Sequence, residues 1–212
     1  MNWKKAMMTI GCLVVTLILI GGVQPAEAKK DNAAAATSAA AVEGYLYTSK
    51  DYGYTIVCPQ KPHVIPANLL MEGKKGEVLI FDNDGYNIKN AWLVLTDAFD
   101  KKKTPDFNKM NEAEAKKYLD GIMQSNPYEG AMVVNLNKNN KAIYALTAKE
   151  VELDTDGDGK PDVTAKADTQ MAILFFRGNK GGCYSLQLID NPELRESEIV
   201  KFQNGAMTFQ EK

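Results

Sequence analysis

Histidine is almost absent from this chain: His63 is the only one in 212 residues. Serine–histidine catalysis would have to use that single residue, and no G-x-S-x-G elbow accompanies it. Cysteine is scarce as well. Of three, Cys12 lies in the apolar N-terminal run, which leaves Cys58 and Cys183 for the rest of the chain. Two thiols and one separate imidazole do not make a zinc site. An excess of one charge is also missing. Lys+Arg number 25 and Asp+Glu 27, for a net charge of -2, so there is no electrostatic case for nucleic acid. Lys101-Lys102-Lys103 is too short to form an extended basic patch and reads as a solvated loop. No internal repeat is visible. What remains is ordinary globular composition, 45% hydrophobic and 25% charged, which excludes wholesale disorder and a polytopic membrane protein.

Long hydrophobic runs are confined to the N-terminus. Lys4 and Lys5 precede an apolar stretch that is densest over residues 10–20, and Pro25-Ala26-Glu27-Ala28 closes it. Small residues at 26 and 28 form the A-x-A pattern that signal peptidase accepts. Residues 1–28 are therefore predicted to be an export signal, cleaved after Ala28, with a periplasmic or extracellular product. The competing reading is an uncleaved anchor, since residues 6–26 carry no charge and are just long enough to span a bilayer. Thr9-Ile10-Gly11 before Cys12 is a poor lipobox. In an oxidising compartment Cys58 and Cys183 could pair as a disulfide; two buried thiols fit the sequence equally well.

Residues 29–43, KKDNAAAATSAAAVE, are Ala-rich and poor in large apolar side chains, so they read as a tether. Residues 44–212 then form one domain. Alternation marks strands at 52–59, 76–81 and 91–99. The third has apolar residues on both faces (Trp92 and Val94 on one, Leu93, Leu95 and Phe99 on the other), as a central strand requires. A helix is predicted from Asn111, with Glu114 completing a capping box. Its apolar stripe is Ala115, Tyr118, Leu119, Ile122 and Met123. Four strands follow at 131–136, 142–153, 163–177 and 183–189, joined by short connections that imply antiparallel hairpins. A last helix is predicted with Asn191 as cap and Pro192 as its first residue, bearing Ile199, Phe202, Ala206 and Phe209 on one face. Asn204-Gly205 is expected to kink it or end it early. An antiparallel sheet with helices packed on it is an α+β domain.

Tyr47-Thr48-Ser49-Lys50-Asp51-Tyr52-Gly53-Tyr54-Thr55-Ile56-Val57-Cys58-Pro59 resembles the opening strand of PsbP-like domains, of the type s-x-x-x-G-[YF]-x-[IV]-x-x-P. Tyr184-Ser185-Leu186-Gln187-Leu188, followed by a helix ending in Met207-Thr208-Phe209, is similar to the last strand and helix of that superfamily. The resemblance spans about residues 45–209 and implies an α/β/α sandwich around an antiparallel sheet. The superfamily includes photosystem II extrinsic subunits, a Ran-binding nuclear factor and many exported bacterial proteins. No residue here matches the functional sites of the first two, so the resemblance implies a fold and no activity.

The most specific chemical signal is Asp154-Thr155-Asp156-Gly157-Asp158-Gly159-Lys160-Pro161-Asp162. Carboxylates fall at loop positions 1, 3, 5 and 9, with glycine at position 6, where a calcium loop turns sharply. Four carboxylates this close repel one another without a cation. Position 12 is Ala165, where an EF-hand has its bidentate glutamate, and the flanks read as strands. The loop thus resembles the D-x-D-x-D-G-x-x-D loops of thrombospondin type 3 repeats. That resemblance implies side-chain ligands from Asp154, Asp156, Asp158 and Asp162 and the carbonyl of Lys160. A calcium site of this kind is expected to be weak, on the order of 10⁻⁴–10⁻³ M.

Other residues have plainer explanations. Asp82-Asn83-Asp84-Gly85 reads as a tight turn, His63 as an exposed loop residue, and Glu150 with Glu152 as a solvated strand face. The alternating Tyr45, Tyr47, Tyr52 and Tyr54 read as sheet-face packing. The leading expectation is an exported, non-enzymatic domain that binds or scaffolds at the cell envelope, with a structural calcium ion and an unidentified protein partner. The alternatives are an extracytoplasmic hydrolase using carboxylates near the calcium loop, and a membrane-tethered accessory subunit.

Overall fold

The protein is described by a computed structural model covering residues 43–122, 128–137, 140–153, 160, 163–166 and 170–212. Residues 1–42, which include the predicted signal and nearly all of the predicted tether, lie outside the described residues. So do Asp154, Asp156, Asp158 and Asp162.

Seven strands form the main sheet: β3 (His63–Pro66), β4 (Lys75–Asp84), β5 (Asn87–Thr96), β6 (Tyr128–Asn135), β7 (Lys141–Thr147), β10 (Met171–Arg177) and β11 (Cys183–Asp190). Their spatial order is β3-β4-β5-β11-β10-β7-β6, and every pair is antiparallel. A smaller antiparallel sheet has the order β1-β2-β12, from Tyr45–Thr48, Tyr54–Cys58 and Gln210–Glu211. Among the described residues, β8 (Glu150–Leu153) and β9 (Val163–Lys166) pair only with each other. Helix α1 spans Glu112–Ile122 and α2 spans Glu196–Met207.

Period-2 alternation sends neighbouring side chains to opposite faces of the main sheet. Leu79, Trp92, Val94, Leu174, Phe176, Leu186 and Leu188 join one core with Ile199, Phe202 and Ala206 of α2 and with Tyr54, Ile56 and Cys58 of β2. On the other face, Ile143, Ala145, Ile173 and Phe175 pack under Ala115 and Leu119 of α1. Val78, Ile80, Ala91, Leu93 and Leu95 make a separate cluster there. The two helices thus cover opposite faces, and the domain is an α/β/α sandwich of α+β class. β5 is central, as its two apolar faces require.

The start of α1 follows its sequence. Glu114 N–H donates to Asn111 Oδ1 at 3.0 Å, and Asn111 N–H donates to Glu114 Oε2 at 2.9 Å, a reciprocal capping box. The start of α2 does not. The helix begins at Glu196, after the cap residue Arg195. Asn191 lies too far before that start to cap it; its backbone N–H and side-chain amide donate to Lys89 O at 2.8 Å and Ile88 O at 3.0 Å, prolonging the sheet. The Asp190 carboxylate takes the Arg195 N–H instead, at 2.8 Å. Gly205 does not end α2, which continues to Met207. Glycine is needed there because a Cβ would collide with the Trp92 ring and lie 2.8 Å from Val57 O.

Two of the long predicted strands are divided. The 142–153 run splits into β7 and β8, and the 163–177 run into β9 and β10. In both cases the inner half joins the main sheet and the outer half leaves it for the β8–β9 hairpin. The disulfide alternative is excluded by face. Cys58 lies in the core under α2, together with Tyr184, Leu186 and Leu188, so Cys183, one residue before Tyr184, points to the opposite face. Both thiols are free and buried. Burial pushes the Cys58 thiol up to about 12, which leaves it an unreactive core side chain.

Candidate functional site

The acidic loop is framed by its hairpin. β8 and β9 pair in the register Glu150↔Lys166, Val151↔Ala165, Glu152↔Thr164 and Leu153↔Val163. The segment between the last paired residues is therefore 154–162, which contains all five expected ligand positions. Ala165 is a strand residue rather than a twelfth loop position, so the frame is that of a hairpin and not of an EF-hand. Lys160 is exposed. Its four expected partners, Asp154, Asp156, Asp158 and Asp162, lie outside the described residues. Among the described residues, no group of three or more histidine, cysteine or acidic side chains is placed to hold a metal.

The lesser candidates are scattered. Asp82 and Asp84 are exposed at the end of the β4–β5 hairpin, which turns at Gly85-Tyr86. Gly85 has φ 59 there, as the first position of a two-residue II′ turn requires, and Asn83 Nδ2 donates to Gly85 O at 3.0 Å. His63 is exposed, but it begins the edge strand β3 opposite Ile80 rather than sitting in a loop. Glu150 is exposed on β8. Lys101, Lys102 and Lys103 lie on an exposed turn capped by Asp100 Oδ1, which accepts from Lys102 N–H at 2.9 Å.

Two buried polar centres carry no motif in the sequence. In the first, Glu77 of β4 is 6% exposed and accepts from Tyr54 Oη at 2.7 Å and Tyr47 Oη at 3.1 Å. Burial, then the Glu77 charge, raises the pKa of both phenols, so each remains a donor. The tyrosine alternation of β1 and β2 thus serves to dock the small sheet onto β4. In the second, Asp190 closes β11 with a fully buried side chain. Arg195 grips it with Nε at 2.9 Å and an η nitrogen at 2.6 Å. Asn90 Nδ2 bridges Asp190 Oδ1 at 3.0 Å and Glu198 Oε2 at 3.2 Å. Burial alone would raise the Asp190 pKa; the hydrogen bonds from Arg195 and Asn90 outweigh it and hold the carboxyl below its ordinary value. The carboxylates of both centres are thus engaged by groups of the chain itself.

A cavity of about 540 Å³ opens beside α1, with Pro105, Met110 and Tyr118 in its lining. Several of its polar groups are engaged within the chain. Tyr118 Oη pairs with Thr104 Oγ1 at 3.1 Å, Asp106 Oδ1 accepts from Asn108 N–H at 3.1 Å, and Glu114 belongs to the capping box. It offers an apolar surface without a nucleophile–base pair.

The solution structure of cyanobacterial PsbP (CyanoP) from Synechocystis sp. PCC 6803 matches the chain with a TM-score of 0.51. The match covers 79% of this chain and 92% of that one, at 11% sequence identity. The fold is PsbP-like. At that identity the likeness extends to the PsbP-like fold and not to an activity. No family model matches the chain, and no curated protein matches it in sequence. No helix among the described residues is long and apolar enough to cross a membrane.

Proposed function

We propose that the protein is an exported, non-enzymatic PsbP-like domain whose β8–β9 hairpin is pinned by a structural calcium ion, and that it binds or scaffolds a protein partner at the cell envelope. One observation carries the calcium assignment. The register of β8 and β9 closes a loop at Leu153 and Val163, and Asp154, Asp156, Asp158, Lys160 and Asp162 fall inside it at calcium-loop spacing. A hard cation favours oxygen ligands in number and offsets the mutual repulsion of the aspartates. β8 and β9 have no strand neighbours but each other among the described residues. An isolated two-stranded hairpin is marginal in water, so an ion at its tip adds support the main sheet does not give. Export is supported by the charged n-region, apolar run and A-x-A pattern of residues 1–28. The non-enzymatic reading is supported by the side-chain engagement of Glu77, Asp190 and Tyr118.

The test is thermal unfolding with excess calcium and with chelator, for the parent and for Asp156→Asn/Asp158→Asn. The midpoint of the parent rises with calcium, and the double variant does not respond. An unchanged midpoint in the parent removes the calcium assignment. Sequencing the N-terminus of the exported product gives Lys29 if the signal is cleaved after Ala28; an intact N-terminus restores the anchor.

A further inference from the structure

Three connections meet at one end of the main sheet. The register pairs Lys75 with Thr96, Tyr184 with Thr96 and Arg177 with Cys183. The β3–β4 connection (67–74), the segment after β5 (97–104) and the β10–β11 turn (178–182) therefore lie side by side. Direct contacts join them. Lys75 Nζ is 3.6 Å from Asp97 Oδ2, Ala98 N–H donates to Cys183 O at 2.9 Å, and Arg177 donates to Lys101 O at 3.2 Å. Each connection brings lysine. Lys74, Lys75, Lys101, Lys102, Lys103 and Lys180 are all exposed. The 101–103 run, a short solvated loop in the sequence, is thus part of a wider basic surface in the fold.

The carboxylates at this end offset only part of that charge. Asp97 pairs with Lys75, and Asp100 with Lys103 at 4.0 Å. Glu211 is held by the N–H groups of Lys180 and Gly182 and by Tyr184 Oη. Glu72 is exposed. Lys74, Lys101, Lys102 and Lys180 enter no ion pair among the described residues. The opposite end carries the other sign. Asp82, Asp84, Glu150 and Glu193 are exposed there, and the segment joining β8 to β9 contains four aspartates. A chain of net charge -2 is thereby a dipole along the strands of its main sheet.

Apolar side chains stand beside the lysines. Leu69, Leu70 and Met71 are 68%, 45% and 36% exposed, the one run of three exposed large apolar residues among the described residues. The turn that presents them is fixed from below. Ala67 is buried in the cluster on β4 and β5, and its carbonyl accepts from Leu70 N–H at 3.0 Å and Met71 N–H at 2.9 Å. Such a run packs nothing within the domain and marks a contact surface. An acidic protein would satisfy the lysines and leave three aliphatic side chains in water. The interface of an anionic bilayer satisfies both, because the acyl boundary takes the aliphatic groups and the headgroups take the ammoniums.

We propose that this end of the domain docks on an anionic lipid bilayer, with Leu69, Leu70 and Met71 entering the interface and the surrounding lysines on the phosphate headgroups. The charge dipole orients the domain, and the acidic end faces away from the membrane. The inference is independent of the calcium loop.

The experiment reads orientation, so that insertion of the apolar N-terminal run does not imitate docking. The full chain with Cys12→Ser carries a nitrobenzoxadiazole label on Met71→Cys or, as control, on Tyr86→Cys. Tyr86 is fully exposed at the β4–β5 turn, roughly 30 Å away along β4. Cys58 and Cys183 are buried and stay unlabelled in the folded chain. The probes are vesicles of phosphatidylcholine and phosphatidylglycerol at about seven to three, vesicles of phosphatidylcholine alone, and soluble polyglutamate, all with chelator present. The label at 71 brightens and shifts to the blue with the anionic vesicles, and the label at 86 does not. The same response needs about tenfold more lipid, or worse, when the vesicles are neutral or the chain carries Lys101→Glu/Lys102→Glu. Leu69→Ser/Leu70→Ser abolishes it. All four side chains are exposed, so an unchanged unfolding midpoint shows that the variants are folded. The proposal is overturned if the label at 71 does not respond, if the label at 86 responds equally, or if neutral vesicles or the lysine variant respond as well as the anionic vesicles and the parent do. A response to polyglutamate equal to that with vesicles also overturns it and assigns the surface to an acidic protein.

Discussion

Two hairpin loops of this domain handle carboxylates in opposite ways. The β8–β9 loop brings four aspartates and one lysine into nine residues, and on the reading proposed above it draws a cation from solution. The β10–β11 loop brings glycines and backbone N–H groups, and the chain supplies its carboxylate from Glu211. One hairpin stands apart from the main sheet, and the other lies within it. On the proposed reading, the first hairpin draws stability from the solution and the second from the fold itself. Calcium should act on the first and leave the second untouched.

The largest effect is expected in the core that the main sheet shares with α2. Trp92→Ala removes the side chain shared by β5 and α2, with edge-to-face partners in Phe81 and Phe202. It should cost about 3–5 kcal/mol, measured by urea unfolding, and should lower the stability of both hairpins together. Asp190→Ala leaves Arg195 and Asn90 without their buried acceptor and should cost about 2–3 kcal/mol. Acid sharpens this case. A carboxyl held below its ordinary value contributes in full above the unfolded-chain value of about 4 and loses that contribution as pH falls through its folded value. The stability gap between parent and Asp190→Asn should therefore narrow below about pH 4. Calcium at 10 mM should add about 1.4–2.7 kcal/mol if the dissociation constant is on the order of 10⁻³–10⁻⁴ M. That gain should be absent from Asp156→Asn/Asp158→Asn. Tyr47→Phe removes one partly buried bond to Glu77 and should cost only about 0.5–1.5 kcal/mol, with the calcium response intact.

The sequence was most legible where the physics is local. Asn111 and Glu114 are three residues apart, and the capping box they announce is formed. The two apolar faces of residues 91–96 place β5 in the interior of the sheet, third of its seven strands. Legibility failed where a distant group decided the outcome. Asn191 reads as a cap, but its N–H and side-chain amide bind Lys89 and Ile88 and the helix starts five residues later, after Arg195. Residues 142–153 read as one strand because alternation does not reveal where a strand leaves its sheet. Gly205 reads as a weak point in α2 because nothing local shows the Trp92 ring behind it. Neither Glu77 nor Glu211 could be singled out, since their partners are phenols and backbone N–H groups about 25 to 30 residues away. The acidic loop is the converse case: its spacing is wholly local, so its proposed ligands are read from the sequence alone.

Amide hydrogen exchange of β8–β9 and β10–β11, followed in the same sample with calcium and with chelator, tests the central claim most directly. If calcium pins the acidic hairpin, exchange in residues 150–153 and 163–166 slows when the ion is present, while residues 171–177 and 183–190 exchange at an unchanged rate. Equal protection of β8–β9 with and without calcium would contradict a structural ion in that loop.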